Sequence, residues 1–384
     1  MAIALSRRLR GAARRGSSAP WLGPVALGAA LVIASGVAAR LLDTTSSDLD
    51  GFFWPSAEIA AHGHPLLVYT VRSGVYPDAN GPLGLIPLTL VAMLANALGV
   101  ADTLPVRDAL AQACFAIFTL LMAREAMLAV AAGRGGLSRR TLTTLLFLIL
   151  PPLWVATIAF GHVEAPLELW LVLLGVRLLG RGATLPAGIC LGLAALTRSL
   201  AILTLIPLLI ALLADRHPLR ALILAGSAAL TVAIGLFPFW LGDRQDLVYS
   251  LLTYRGTLGI TGGTLWFAFS GAGWIGFIKA DDTWIFLGTA AVLSALATLR
   301  WRDRRLLPPG VHGTLAVVTL CAPMLAKTSW PYYLLDPCVL ATIWWLARPG
   351  PVVSWRGLAP LLLAVGGAVL GGLEQSQPLA PLPP

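Results

Sequence analysis

Between Ala183 and Ala214 the chain reads ATLPAGICLGLAALTRSLAILTLIPLLIALLA, 32 residues with a single charged side chain, Arg198. As one helix this stretch would be about 48 Å long, against a hydrocarbon core of about 30 Å. Arg177 and Arg181 precede it and Arg216 and Arg220 follow it. Basic loops collect on the cytoplasmic side of a membrane, so both ends belong there. Two short passes with Arg198 at an outer turn satisfy length and charge together. An arginine at the bilayer centre would cost about 2.5–3.5 kcal/mol on insertion scales.

The whole chain has the same character. Hydrophobic residues make up 57% and charged residues 12%, with a mean hydropathy of +0.81. Soluble domains carry about 25% charged residues, so this chain needs lipid as its solvent. At roughly 20 residues per span, 384 residues allow about ten to twelve helices and little else. The formal charge of +9 sits in short loops between apolar runs, which excludes a nucleic-acid partner and fits a positive inner face. Cys114, Cys190, Cys321 and Cys338 are scattered through apolar stretches without metal-ligand spacing and read as helix-packing residues. Residues 1–23 form a basic cytoplasmic N-terminus. The apolar run that follows, ending beside Arg40, is too long for a cleaved signal and reads as an anchor.

Further apolar runs cover 82–99, 108–132, 141–160, 166–179, 219–241, 284–299, 311–326, 334–347 and 357–373. The basic loops are the N-terminus, 134–140, Arg177 with Arg181, 215–220, 300–305 and 348–356. All six fall inside only if 82–99, which carries Pro82 and Pro87, lies on the outer surface instead of crossing. The expected architecture is an all-α integral membrane protein. A single polytopic domain spans 24–373 with about eleven transmembrane helices, and an extracytoplasmic loop and juxtamembrane helix occupy 44–107. A short outer tail covers 374–384. No internal repeat points to an inverted-repeat transporter.

This topology gathers the unusual polar residues on the outer side: Asp48, Asp50, Glu58, Arg107, His162, Glu164, Arg198, Arg255, Lys279 and Lys327. Around them stand Phe52, Phe53, Trp54, Tyr69, Tyr76, Trp330, Tyr332 and Tyr333. Carboxylates beside cations and aromatics suit acid–base chemistry on a sugar whose leaving group is anionic. A carboxylate can take the proton of an attacking hydroxyl while Arg and Lys neutralise a departing phosphate.

Asp48-Leu49-Asp50-Gly51-Phe52-Phe53-Trp54-Pro55-Ser56-Ala57, followed by Gly63-His64-Pro65-Leu66, resembles the first outer loop of multi-pass GT-C glycosyltransferases. The nearest resemblance is to the polyprenol-phosphate-mannose-dependent group that includes the actinobacterial phosphatidylinositol-mannoside mannosyltransferases. Asn80-Gly81-Pro82-Leu83-Gly84 is similar to the segment that opens the family's juxtamembrane helix, and Pro105-Val106-Arg107 to the start of its next crossing. Gly161-His162-Val163-Glu164 stands where a second polar cluster is common. Gly192-Leu193-Ala194-Ala195-Leu196-Thr197-Arg198 resembles a later turn, and Ser329-Trp330-Pro331-Tyr332-Tyr333 a late outer element. Phe53 and Trp54 stand where the family usually has Tyr, and the doubled proline near Pro82 is lacking.

The resemblance implies a plasma-membrane enzyme with an extracytoplasmic site. It would move a sugar, mannose first, from a polyprenyl-monophosphate donor to a hydroxyl of a glycolipid or glycan acceptor, with inversion. Asp50 is the first choice for general base and Asp48 the second; the bland alternative is that they cap the helix near Phe52. Arg198, Arg107, Arg255 and Lys327 are the candidate ligands of the donor phosphate, although Arg198 could also be a charge snorkelling from a short helix. His162 and Glu164 are candidates to orient the acceptor or to hold a divalent cation, or else a solvated turn. Trp54, Tyr332 and Tyr333 are candidate substrate contacts, or else belt aromatics at a membrane boundary. No metal is assigned, and oligomeric state stays open. The rival function is a transporter or flippase of lipid-linked sugars, and a third reading is an inactive scaffold of the same fold.

Overall fold

A computed structural model describes residues 22–41, 48–70, 77–261, 264–269, 271–300 and 306–348. The expected helix at 357–373, the basic segment before residue 22 and the tail at 374–384 lie outside the described residues, as do Tyr76 and the side chains of Arg255 and Lys279.

The described residues form helices and connecting turns without a strand. Helix α1 (Leu22–Leu41) is followed by a π-turn at Leu49–Phe53, then by α2 (Trp54–Ala61). Helix α3 (Pro82–Ala97) leads to the long α4 (Leu104–Arg134) and then to α5 (Arg139–Trp154), which runs into a second π-turn at Val155–Ala159. Next come α6 (Ala165–Gly180), α7 (Thr184–Thr197), α8 (Ile202–Ala214) and α9 (Pro218–Gly242). Two short helices, α10 (Arg244–Val248) and α11 (Tyr254–Thr257), precede α12 (Gly276–Arg300), α13 (Gly310–Leu325) and α14 (Leu335–Leu346).

Local chemistry sets the boundaries. Gly135, with φ +79°, takes the left-handed position that ends α4. The Ser138 hydroxyl caps α5 by accepting from the Thr141 amide at 3.1 Å. Pro151 and Pro152 each remove a backbone donor near the end of α5, and the chain relaxes into the π-turn just beyond them.

Among the described residues, three helices are long and apolar enough to cross a membrane: α4, α5 together with its π-turn (Arg139–Ala159), and α9. The outer face of α9 leaves Leu222, Ile234 and Leu241 about two-thirds exposed, a surface out of place in water. The break expected at Arg198 is present. Arg198 is extended (φ −141°, ψ 126°) and divides α7, of 14 residues, from α8, of 13. The segment expected as a helix over 82–99 is α3.

Close packing without a hydrophobic drive needs small residues at helix contacts. Gly188 and Gly192, one turn apart on α7, press against Ser227, Ala228 and Thr231 of α9. A Cβ on Gly192 would stand 2.7 Å from the Ala228 carbonyl oxygen. Gly81 likewise sits against the Leu196 backbone, which brings the segment before α3 onto the end of α7.

The two ends of this bundle differ in chemistry. At one end Arg134 donates to the Leu346 carbonyl at 2.9 Å, and Arg220 donates to the Leu179 carbonyl at 3.1 Å and to Thr184 Oγ1 at 3.0 Å. At the other end the start of α4, the α5–α6 and α7–α8 connections and the start of α14 converge under the Asp48–Phe53 segment.

Candidate active site

The site is assembled from turns held at the ends of long helices. The Asp48 amide donates to the Phe160 carbonyl at 3.2 Å, and the His162 amide donates to the Ala156 carbonyl at 2.8 Å. The first bond fastens the two π-turn segments to each other, and the second folds the chain back after the Val155–Ala159 turn. Such turns place side chains off the regular helical register, which is why they recur at functional sites.

Asp48 occupies the N-cap position of the first π-turn, yet its side chain makes no capping bond. It reaches 2.9 Å from Nε2 of His162. Nδ1 of the same ring lies 2.7 Å from Oε1 of Glu164. His162 is therefore bracketed by carboxylates, with both ring nitrogens engaged. Among the described residues no three His, Cys, Asp or Glu side chains converge as metal ligands do. Tyr332 lies over the ring with centroids 3.8 Å apart, and Phe53 meets it edge-on at 5.1 Å.

Burial in this setting would lower the pKa of His162, but Glu164 and Asp48 outweigh it and raise the value above ordinary histidine. Burial acts on Glu164 in the opposite sense. His162 and then Arg198 overcome it and hold the carboxyl below its usual range. Asn80 Nδ2 also donates to Glu164 Oε1 at 3.1 Å, and the Asn80 amide donates to Asp78 Oδ1 at 2.8 Å. Asp78 is buried and its pKa is raised well above normal, chiefly by desolvation.

Asp50 does not face Arg198. Its partner is Arg107 at the start of α4, with which it forms a short ion pair. The Arg107 guanidinium stands 5.0 Å over the ring of Trp54, whose Nε1 donates to Glu58 at 2.8 Å. Asp50 Oδ2 and Arg107 Nε are both buried without a hydrogen-bond partner. Trp54, at 2% exposure, is a platform under Arg107 and not an open contact for substrate.

Arg198 departs furthest from its expected setting. It is buried, and its guanidinium lies 3.8 Å from Glu164, 3.5 Å from Glu168 and 4.0 Å from Asp336. Tyr332 and Tyr333 each place a ring 5.8 Å from it. Three carboxylates around one buried cation explain why it does not snorkel. Burial would lower its pKa; Asp336, Glu168 and Glu164 raise it further than burial depresses it. Lys327 is buried, with its carbonyl accepting from the Thr261 amide at 3.0 Å.

Glu168 and Asp336 were missed from sequence. Each is an acid in the first turn of an otherwise apolar helix, and an ionisable residue in such a run is a reason to look for its partner.

No family model matches the chain, and no curated protein matches it. The chemistry is thus read from the residues themselves: two carboxylates of one loop, Asp48 on His162 and Asp50 on Arg107, beside a buried polar network.

Proposed function

We propose that the protein is a GT-C-type membrane glycosyltransferase. It takes a sugar, mannose first, from a polyprenyl-monophosphate donor and passes it to a hydroxyl of a glycolipid or glycan acceptor. In this reading the chain crosses the plasma membrane about eleven times and α3 lies on the outer surface. The Asp48–Asp50 segment then faces the extracytoplasmic side. The separation of the Arg134–Arg220 end from the Asp48–His162 end supports that orientation, because positive charge favours the inner face.

The observation that carries the proposal is the meeting of Asp48 and Asp50 with His162 and Arg107 respectively. A carboxylate that is partly accessible and fixed by a neighbour from another element suits a general base. Asp48 is the better candidate, with a side chain 21% exposed, against 17% for Asp50. Asp50 is also neutralised by Arg107. The acceptor hydroxyl loses its proton to Asp48 as its oxygen attacks the anomeric carbon. The bond from that carbon to the phosphate oxygen breaks, and its electron pair leaves on the polyprenyl phosphate. Arg107, whose Nε lies 3.9 Å from Asp108 and makes no hydrogen bond, supplies the nearby positive charge.

The test is transfer from radiolabelled polyprenyl-phosphomannose to a lipid acceptor by purified protein. Asp48→Ala should abolish transfer and Asp50→Ala should impair it. Wild-type transfer by both variants would refute the base assignment. One feature favours the transporter reading: the occluded Arg198–Glu168–Asp336 cluster within the bundle. Movement of intact donor without bond cleavage would select it.

A further inference from the structure

We infer that His162 is a positioning residue that works as a charged bridge, holding Asp48 at the substrate side from an anchor on Glu164. This rests on the transferase reading for its catalytic meaning, but the bridge itself stands on geometry. Asp48 at 2.9 Å and Glu164 at 2.7 Å occupy the two ring nitrogens. Two ionised carboxylates can both be satisfied by one ring only when each nitrogen carries a proton.

The bridge has a direction. Asp48 is the most accessible of its members, whereas His162 and Glu164 side chains are each 5% exposed. Behind them the anchor is stiffened from the same outer loop: Asp78 accepts from the Asn80 amide, and Asn80 donates to Glu164. Gly84 lets α3 close on this point, since a Cβ there would stand 3.1 Å from Glu164 Cβ. Two segments of one loop, around Asp48 and around Asn80, therefore clamp the His162–Glu164 turn from both sides. A bridge of this form sets the orientation of the Asp48 carboxylate.

The charged and titratable groups around the ring come from four elements. Asp48 and Asp78 belong to the outer loop, Glu164 to the same turn as His162, and Tyr332 to the segment before α14. Arg198, at the end of α7, acts on the far side of Glu164. Burial opposes the ring proton, but Glu164 and Asp48 outweigh it, so the bridge persists above the pH at which free histidine loses its charge.

The test uses the full chain in lipid nanodiscs with ¹⁵N-labelled histidine, the His162 signals being those missing in His162→Gln. Two protonated ring nitrogens at pH 7 are expected in the wild type, with one lost in Asp48→Asn or Glu164→Gln. In the transfer assay His162→Gln should lower kcat by about tenfold or more at unchanged donor KM. It should also erase the fall in rate at alkaline pH that the wild type shows as the ring deprotonates. A neutral ring at pH 7, or a His162→Gln enzyme with the wild-type kcat and alkaline limb, would overturn the bridge. If His162→Gln does not fold, His162→Asn and the Asp48→Asn spectrum carry the same decision. A wild type that transfers no sugar would refute the transferase and leave the nitrogen spectrum to decide the bridge.

Discussion

Asp48 and His162 stand 114 residues apart in the chain and meet at 2.9 Å, with His162 in turn 2.7 Å from Glu164. The contact joins the loop after α1 to the connection between α5 and α6. It also diverts Asp48 from the capping role its position offers, because its carboxylate bonds the imidazole and not its own turn. Asp50, two residues on, takes the opposite course to Arg107 on α4. One loop is thus tied to two helix ends by two carboxylates with different partners.

The two carboxylates should separate kinetically. Asp48→Asn removes the proton acceptor and is expected to lower kcat by roughly 10²–10⁴-fold, the usual scale of general base catalysis. Asp50→Asn leaves Arg107 with Asp108 as its remaining carboxylate partner and should act mainly on donor KM. Steady-state transfer with each variant checks the split, and the reverse pattern would move the base to Asp50.

Stability should report the histidine bridge through pH. The raised pKa of His162 means that its pairing stabilises the fold fully below about pH 6.5, the unfolded value, and that this contribution is lost as pH rises through the folded value. The difference in Tm between wild type and His162→Gln should therefore be widest in mild acid and close at alkaline pH. A difference constant across that range would place the ring outside the titration.

Arg198 should be structural first. Arg198→Met leaves Glu164, Glu168 and Asp336 buried around no cation and should cost about 3–5 kcal/mol. Arg198→Lys should recover part of this. Thermal melts in detergent measure both, and a melt for Arg198→Met equal to wild type would show that the cluster is neutral without it.

Helix packing offers a control far from the chemistry. Gly188→Val drives a side chain into Ser227 and the Leu224 backbone and should destabilise by about 1–3 kcal/mol or more. Gly226→Ala, on α9 with open space around its Cβ position, should be neutral or gain up to about 1 kcal/mol from helix propensity. Equal melting shifts would contradict the packing of α7 on α9.

Much of this fold was legible from apolar length and charge. The break at Arg198 follows from apolar length and charge and the helix from Pro82 from its apolar run, and the structure brings Asp48, His162, Tyr332 and Arg198 together. Hydropathy could not supply the partners. It treats Glu168 and Asp336 as small interruptions of apolar helices, although they decide that Arg198 is enclosed. Nor does spacing tell Asp48 from Asp50, because a π-turn rotates them toward different neighbours. The side chains of Arg255 and Lys279 lie outside the described residues.

The most direct test of the transferase is a single-turnover experiment with purified protein in nanodiscs, excess acceptor and a donor labelled in both sugar and lipid. The prediction is that labelled sugar appears on the acceptor in equal amount to released polyprenyl phosphate, and that Asp48→Asn stops both. Recovery of the donor intact, with neither product formed by the wild type, would contradict it.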